Sequence, residues 1–112
     1  VTRLVEPTHV TTLGCDGIAW HDGAIIAVQN GVHPARVMRF TLDRAGAGVI
    51  RADILDRHWS IADEPTIGTI AGDEFVYVAN SQWEKHTADG APQKDARLSR
   101  PVLLAIPLGR RD

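Results

Sequence analysis

A repeat with a lag of 50 residues constrains this chain more than any other feature. Asn30 and Asn80 close similar apolar runs, Ala24-Ile-Ile-Ala-Val-Gln-Asn30 and Glu74-Phe-Val-Tyr-Val-Ala-Asn80, and lie 50 positions apart (80 − 30). The same lag pairs the turn residues Gly23 and Asp73, and it pairs Ile25 with Phe75, Ile26 with Val76 and Val28 with Val78. Further back it pairs Leu4-Val5-Glu6 with Ile54-Leu55-Asp56, and Asp16 with Thr66. A fixed period of this length means one supersecondary unit used repeatedly, each copy burying its apolar face against the next.

After Asn80 the lag lengthens. Met38, Phe40 and Leu42 alternate with polar positions, as Leu104, Ile106 and Leu108 alternate with Ala105 and Pro107, now 66 apart (104 − 38). The second copy therefore carries 16 extra residues (66 − 50), placed between Ser81 and Arg100. The units read as strands. Ile18 to His21 is short and apolar. Asp22-Gly23 follows, a tight-hairpin dipeptide in which glycine tolerates the positive φ required. Ala24 to Gln29 returns as the second strand, Arg36 to Leu42 alternates as a third, and Val49 to Leu55 forms a fourth after Gly46-Ala-Gly48. No segment carries a helical stripe. Four antiparallel strands per unit of about 40 to 50 residues is the pattern of a propeller blade. The expected fold is all-β. Val1 to Val5 is placed as the outer strand of a preceding blade, with 1–15 as that strand and a connection. Residues 16–57 form one blade, and 58–112 form another with its inserted loop at 81–100. That phase implies a longer polypeptide, because the last blade lacks its outer strand.

Composition narrows the function classes. A net charge of −2 on 112 residues argues against nucleic-acid binding, which needs a basic face. Arg110 and Arg111 read as a solvated tail. No apolar stretch approaches the roughly 20 residues that span a bilayer, and no signal peptide is read at the start. The expectation is a soluble protein without membrane partners. Cys15 is the single cysteine, so there is neither an internal disulfide nor a cysteine pair for zinc, and cytoplasm and periplasm both stay open.

With the blades placed, certain residues resemble the senescence-marker-protein/gluconolactonase/luciferin-regenerating-enzyme family. The penultimate-blade elements of that family read here as Asp16-Gly17-Ile18, Trp20-His21-Asp22-Gly23, Val28-Gln29-Asn30-Gly31 and Arg36-Val37-Met38-Arg39-Phe40. Its last blade is matched by Pro65-Thr66-Ile67-Gly68 and the Ser81 to Arg100 insertion. Strictosidine-synthase-like and other six-bladed propellers share such turns. The resemblance implies a six-bladed β-propeller of the TolB-like type, of which this chain covers about two four-stranded blades. It also implies a divalent metal, often calcium, on the propeller axis, and hydrolysis of a lactone or similar small ester. Of the metal ligands implied, only the aspartate falls in this chain, at Asp16; a Glu and an Asn would come from earlier blades of the same longer chain.

The residues themselves leave alternatives open. Asp16, at the start of an inner strand, suits a hard cation or general-base chemistry; it also suits a turn in which its carboxylate bonds nearby backbone. Asp63, Glu64 and Thr66 hold the matching place in the next blade, as substrate or metal contacts or as solvated loop residues. The insertion, with Ser81, Gln82, Trp83 and His86, should overhang the Asp16 end, either lining a pocket through Trp83 or forming a polar surface excursion. His33, before Pro34 on the same end, is the best-placed histidine for a small-molecule substrate; His9, His21, His58 and His86 show no metal-ligand spacing. Ser81 and Ser99 lack the strand-turn-helix setting of a nucleophile elbow. Cys15 reads as a small buried thiol, and Trp20 and Trp59 as packing between blades. Two functions follow: a metal-dependent lactone or ester hydrolase, or a non-catalytic propeller scaffold that binds a ligand or partner on the same end.

Overall fold

The chain is all-β. The computed structural model describes residues 1–60 and 64–109, and among these there is no α-helix. Strands β1 (Cys15–His21), β2 (Ala24–Gln29), β3 (Ala35–Leu42) and β4 (Val49–His58) form one antiparallel sheet in that order. Strands β5 (Gly68–Ala71), β6 (Glu74–Val78) and β7 (Leu103–Pro107) form a second. Asp22 (φ 46°) and Gly23 (φ 80°) make the β1–β2 turn, with positive φ at both central positions, as a tight hairpin with right-handed twist requires.

Alternation along the strands divides each sheet into two sides. On one side of the first sheet Ile26, Val28 and Val37 pack against Phe75, Tyr77, Ala79 and Leu108 of the second, forming the buried core. Phe75 and Tyr77 stack with ring centroids 5.7 Å apart. The sheets also approach at β1 and β5, where Gly17 lies so near the chain that a Cβ on it would sit 2.8 Å from the Ile67 Cα. Across the sheet boundary the Tyr77 hydroxyl donates to Asp56 Oδ2 (2.7 Å) and lies 2.6 Å from His58 Nε2. The opposite side of the first sheet carries Ala27, Met38 and Phe40, partly covered by Val10.

The N-terminal segment differs from expectation. Instead of a strand over Val1–Val5, only Val5 pairs, in a single parallel bridge to Gly48, held by Val5 N–H to the Ala47 carbonyl and Val49 N–H to the Val5 carbonyl. Pro7, two residues on, has no N–H with which to extend a ladder. The segment is anchored instead by Gln29, which is fully buried. Its Nε2 donates to the Thr11 and Leu13 carbonyls (3.0 and 2.8 Å), and its Oε1 accepts from Arg36 Nε (2.6 Å).

One other expectation is corrected. Cys15 is exposed, because it opens β1 at the sheet end, with its thiol donating to the Thr12 carbonyl. Trp20 and Trp59 are 60% and 76% exposed and pack between no sheets here. Trp20 lies on the side of β1 away from the second sheet, and Trp59 follows β4 with the Arg57 guanidinium 5.9 Å from its ring centroid. The polar insertion is ordered by its own bonds: Gln82 Nε2 to the Ser99 carbonyl, Lys85 Nζ to the Arg97 carbonyl and Gln93 N–H to the Lys85 carbonyl.

Candidate functional site

Asp16 is the extra residue of a β-bulge. Cys15 pairs with Gln29 and Gly17 with Val28, so β1 spends two steps where β2 spends one. A bulge bends the strand locally and re-aims a side chain. The Asp16 carboxylate is thereby turned toward the chain entering the second sheet. Its Oδ2 accepts from Asn30 Nδ2 (3.1 Å) and from the Thr66 hydroxyl. Asn30 Nδ2 also donates to the Pro65 carbonyl (3.0 Å). Asp16 and Asn30 are exposed, whereas Pro65 and Thr66 are buried, so the cluster closes the seam between the sheets at one end. Thr66 is fixed by its N–H to the Val78 carbonyl, and Val78 N–H reaches the Ile67 carbonyl.

The insertion meets this same end. Ser81 N–H donates to the Glu64 carbonyl (2.9 Å), and Glu84 N–H to Glu64 Oε1 (3.2 Å). Glu64 thus supports the short 3₁₀ turn Trp83–Lys85. Trp83 heads that turn and is 65% exposed; His33 is exposed in the β2–β3 loop. Among the described residues neither bonds to Asp16, Asn30 or Thr66. Asp63 lies outside the described residues, as do Arg110 and Arg111.

Of Asp16, Thr66, Trp83 and His33, the structure brings Asp16 and Thr66 into direct contact. In the sequence Asn30 ends an apolar run and falls in the Val28-Gln29-Asn30-Gly31 element, with no site role assigned to it. Its counterpart Asn80 ties a loop too, donating to the Arg100 carbonyl and accepting from Val102 N–H. An asparagine ending each second strand was the available signal for both.

Cys15 borders the cluster; the residue is exposed, but its thiol is partly shielded. Partial burial pushes its thiol above the ordinary cysteine range, only partly offset by a bond with Gln29 and the charge of Arg36. His86 Nδ1 lies 2.9 Å from the Gln82 carbonyl, and His58 faces Tyr77, so both histidines serve local packing. Among the described residues no three His, Cys, Asp or Glu side chains gather closely enough to hold a metal. Asp16 does offer a hard oxygen donor, which suits calcium or magnesium rather than a soft metal. At the opposite end of the sheets a cleft of about 400 Å³ is lined by His21, Arg39, Arg51 and Asp53, with Arg51 Nε bonded to Asp53 Oδ1 (3.1 Å). No family model, curated protein or solved structure matches this chain.

Proposed function

We propose that the chain is the C-terminal part of a six-bladed β-propeller that hydrolyses lactones or similar small esters with a divalent cation, in the manner of gluconolactonases. The observation carrying this reading is the Asp16 bulge: an exposed carboxylate at the start of a first strand, oriented by donors from both sheets. The stacking supports the propeller. Ile26 and Val28 face the second sheet, while Val76 and Val78, 50 positions on, point away from the first; Phe75 and Tyr77 face it instead. Sheets stacked in this sense follow one another head to tail, as blades do.

Calcium takes about six to eight oxygens, so Asp16 would supply one carboxylate and other parts of the polypeptide the rest. Such a cation, when bound, would polarise the substrate carbonyl. Asn30 and Thr66 both bond Oδ2 and thereby fix the carboxylate; Oδ1 is then the oxygen directed to a ligand or a proton. Trp83 and His33 would contact substrate from the loops at the same end.

A binding scaffold is the second reading, favoured by the bonding of Oδ2 across the sheet boundary. Asp16→Asn and Asp16→Ala separate the two, with hydrolysis of a lactone and ester panel and thermal stability measured on the same preparations, with calcium and with chelator. Asparagine keeps an oxygen for Asn30 and Thr66, so it should hold stability within about 1 kcal/mol yet lose turnover. Alanine removes the acceptor from buried Thr66 and should cost about 1–3 kcal/mol as well. Normal calcium-dependent turnover per folded Asp16→Asn molecule would refute a chemical role for Asp16, and no calcium-dependent turnover by the unsubstituted protein would leave the scaffold reading standing.

A further inference from the structure

We propose that the cleft at the end of the sheets opposite Asp16 is a binding site for a small oxyanion, a carboxylate or a phosphate, gripped by Arg39 and Arg51. The register of the first sheet builds it. His21, Ala24, Thr41 and Arg51 stand side by side across all four strands. They form the last row of the side that faces the second sheet; Ile26, Arg39 and Asp53 form the row before it. The second sheet faces them with the rows Gly68–Tyr77–Leu104 and Ile70–Phe75–Ile106 and then turns, which leaves the last row of the first sheet without a strand opposite. Leu108 and Gly109 make the far wall, and the gap is about 400 Å³, a size that suits a small ligand. Both walls belong to this chain, so the cleft lies inside the seam between the sheets and not on a side that a further blade covers.

The hydrogen-bonding groups left over in the cleft select the charge of the ligand. Asp53 holds both guanidinium groups on one wall: Arg51 Nε lies 3.1 Å from each of its oxygens, and Arg39 Nε 3.9 Å from Oδ2. Arg39 Nη1 donates to the Leu108 carbonyl (2.9 Å), which ties this arginine to both walls. Among the described residues nothing accepts from Arg51 Nη1 or Nη2, from Arg39 Nη2, from the His21 ring or from the Thr41 hydroxyl. The carboxylates are engaged: Asp53 with the two arginines, and Asp22 at the rim with interactions of its own. The open groups are therefore chiefly donors, and two of them are planar forks of positive charge. A guanidinium fork matches two oxygens of one carboxylate or phosphate side by side. The Arg39 side chain is only 30% exposed, so its attraction for an anion is less damped by water than at an open surface.

The site is separate from the Asp16 end, and its test uses no lactone. The full-length polypeptide is titrated with sodium phosphate and with sodium acetate by isothermal calorimetry, at constant ionic strength with chloride as the control. At least one of the two oxyanions should bind saturably and one to one, and the one that binds fixes the ligand as phosphate or carboxylate. Arg51 is exposed and bonds only to Asp53, so Arg51→Gln should keep its far-UV circular dichroism yet weaken that binding about tenfold or more. Arg39→Gln repeats the comparison if the first variant loses its β spectrum. Asp16→Asn should bind as the unsubstituted protein does; loss of binding there would put the anion at the Asp16 end and overturn the proposal. Equal binding by the arginine variants overturns it too. So does the absence of saturable binding up to about 20 mM of either anion, the result expected if other strands of the polypeptide close the cleft.

Discussion

Replacing Gln29 with leucine tests how the N-terminal segment is held. Gln29 is 0% exposed, yet all of its hydrogen-bonding capacity used here reaches outside its own strand: two N–H bonds to the Thr11 and Leu13 carbonyls, and one charged bond from Arg36. A neutral hydrogen bond contributes about 0.5–1.5 kcal/mol net, and one to a charged group about 1.5–3 kcal/mol. Leucine removes all three. Water recovers part of the loss, because Leu13 is exposed and Arg36 only half-buried, and Thr11 keeps a long bond from Arg36 Nη2 (3.4 Å). Leucine returns about 1 kcal/mol through its apolar surface. The net expectation is a loss of about 2–3 kcal/mol, or a fall in Tm of about 10–20 °C for a domain of this size. Urea unfolding gives the first quantity, and hydrogen exchange should show the amides of residues 10–15 opening before the strands do. Gln29→Glu sharpens the case. It strengthens the attraction to Arg36 but turns an acceptor toward two carbonyls, so it should be no better than leucine. A loss below about 0.5 kcal/mol for leucine, with exchange at residues 10–15 unchanged, would refute the reasoning that this buried amide anchors the segment.

Two further substitutions probe the seam and the insertion. Gly17→Ala places a Cβ 2.8 Å from the Ile67 Cα, a backbone atom that cannot swing aside, so the sheets must part at about 1–3 kcal/mol; an unchanged melting temperature would show that they can slide freely. Ser81 Oγ is buried with no hydrogen-bond partner among the described residues, so Ser81→Ala should leave stability unchanged or raise it by up to about 1–2 kcal/mol, and a clear loss would reveal a partner for that hydroxyl.

The strands were legible because they are written in local chemistry. Asp22-Gly23 fixes a hairpin, the hairpin fixes the pairing of Ala24–Gln29 with the strand before it, and alternation marks Met38, Phe40 and Leu42 as one buried side of the third strand, though not Val37, which is buried on the other. What stayed hidden depends on register or on neighbours. The bulge at Asp16 is one extra residue in one strand, and Cys-Asp-Gly carries no mark that tells a bulge from a straight run. The exposure of Trp20 follows from which side of β1 meets the second sheet, a matter of stacking that no residue near Trp20 encodes. Gln29 is a polar residue in a run of apolar ones, and its burial makes sense only through Thr11, Leu13 and Arg36, which lie 7 to 18 positions away.

The type of residue at position 16 bears on its role more than its position does. Both groups that bond Asp16 are neutral, an amide and a hydroxyl, and an asparagine oxygen or a backbone carbonyl would accept from either. The seam between the sheets therefore requires an acceptor there but no charge. Among the described residues arginine pairs with carboxylates at Arg3–Glu6, Arg39–Asp53 and Arg51–Asp53, and none of these pairs involves Asp16. The negative charge is thus surplus to the packing, and it sits on a carboxylate whose two donors share one oxygen. A structural role for Oδ2 and a chemical role for Oδ1 are compatible within one side chain. This is why asparagine, which keeps the acceptor and removes the charge, is the substitution that separates them.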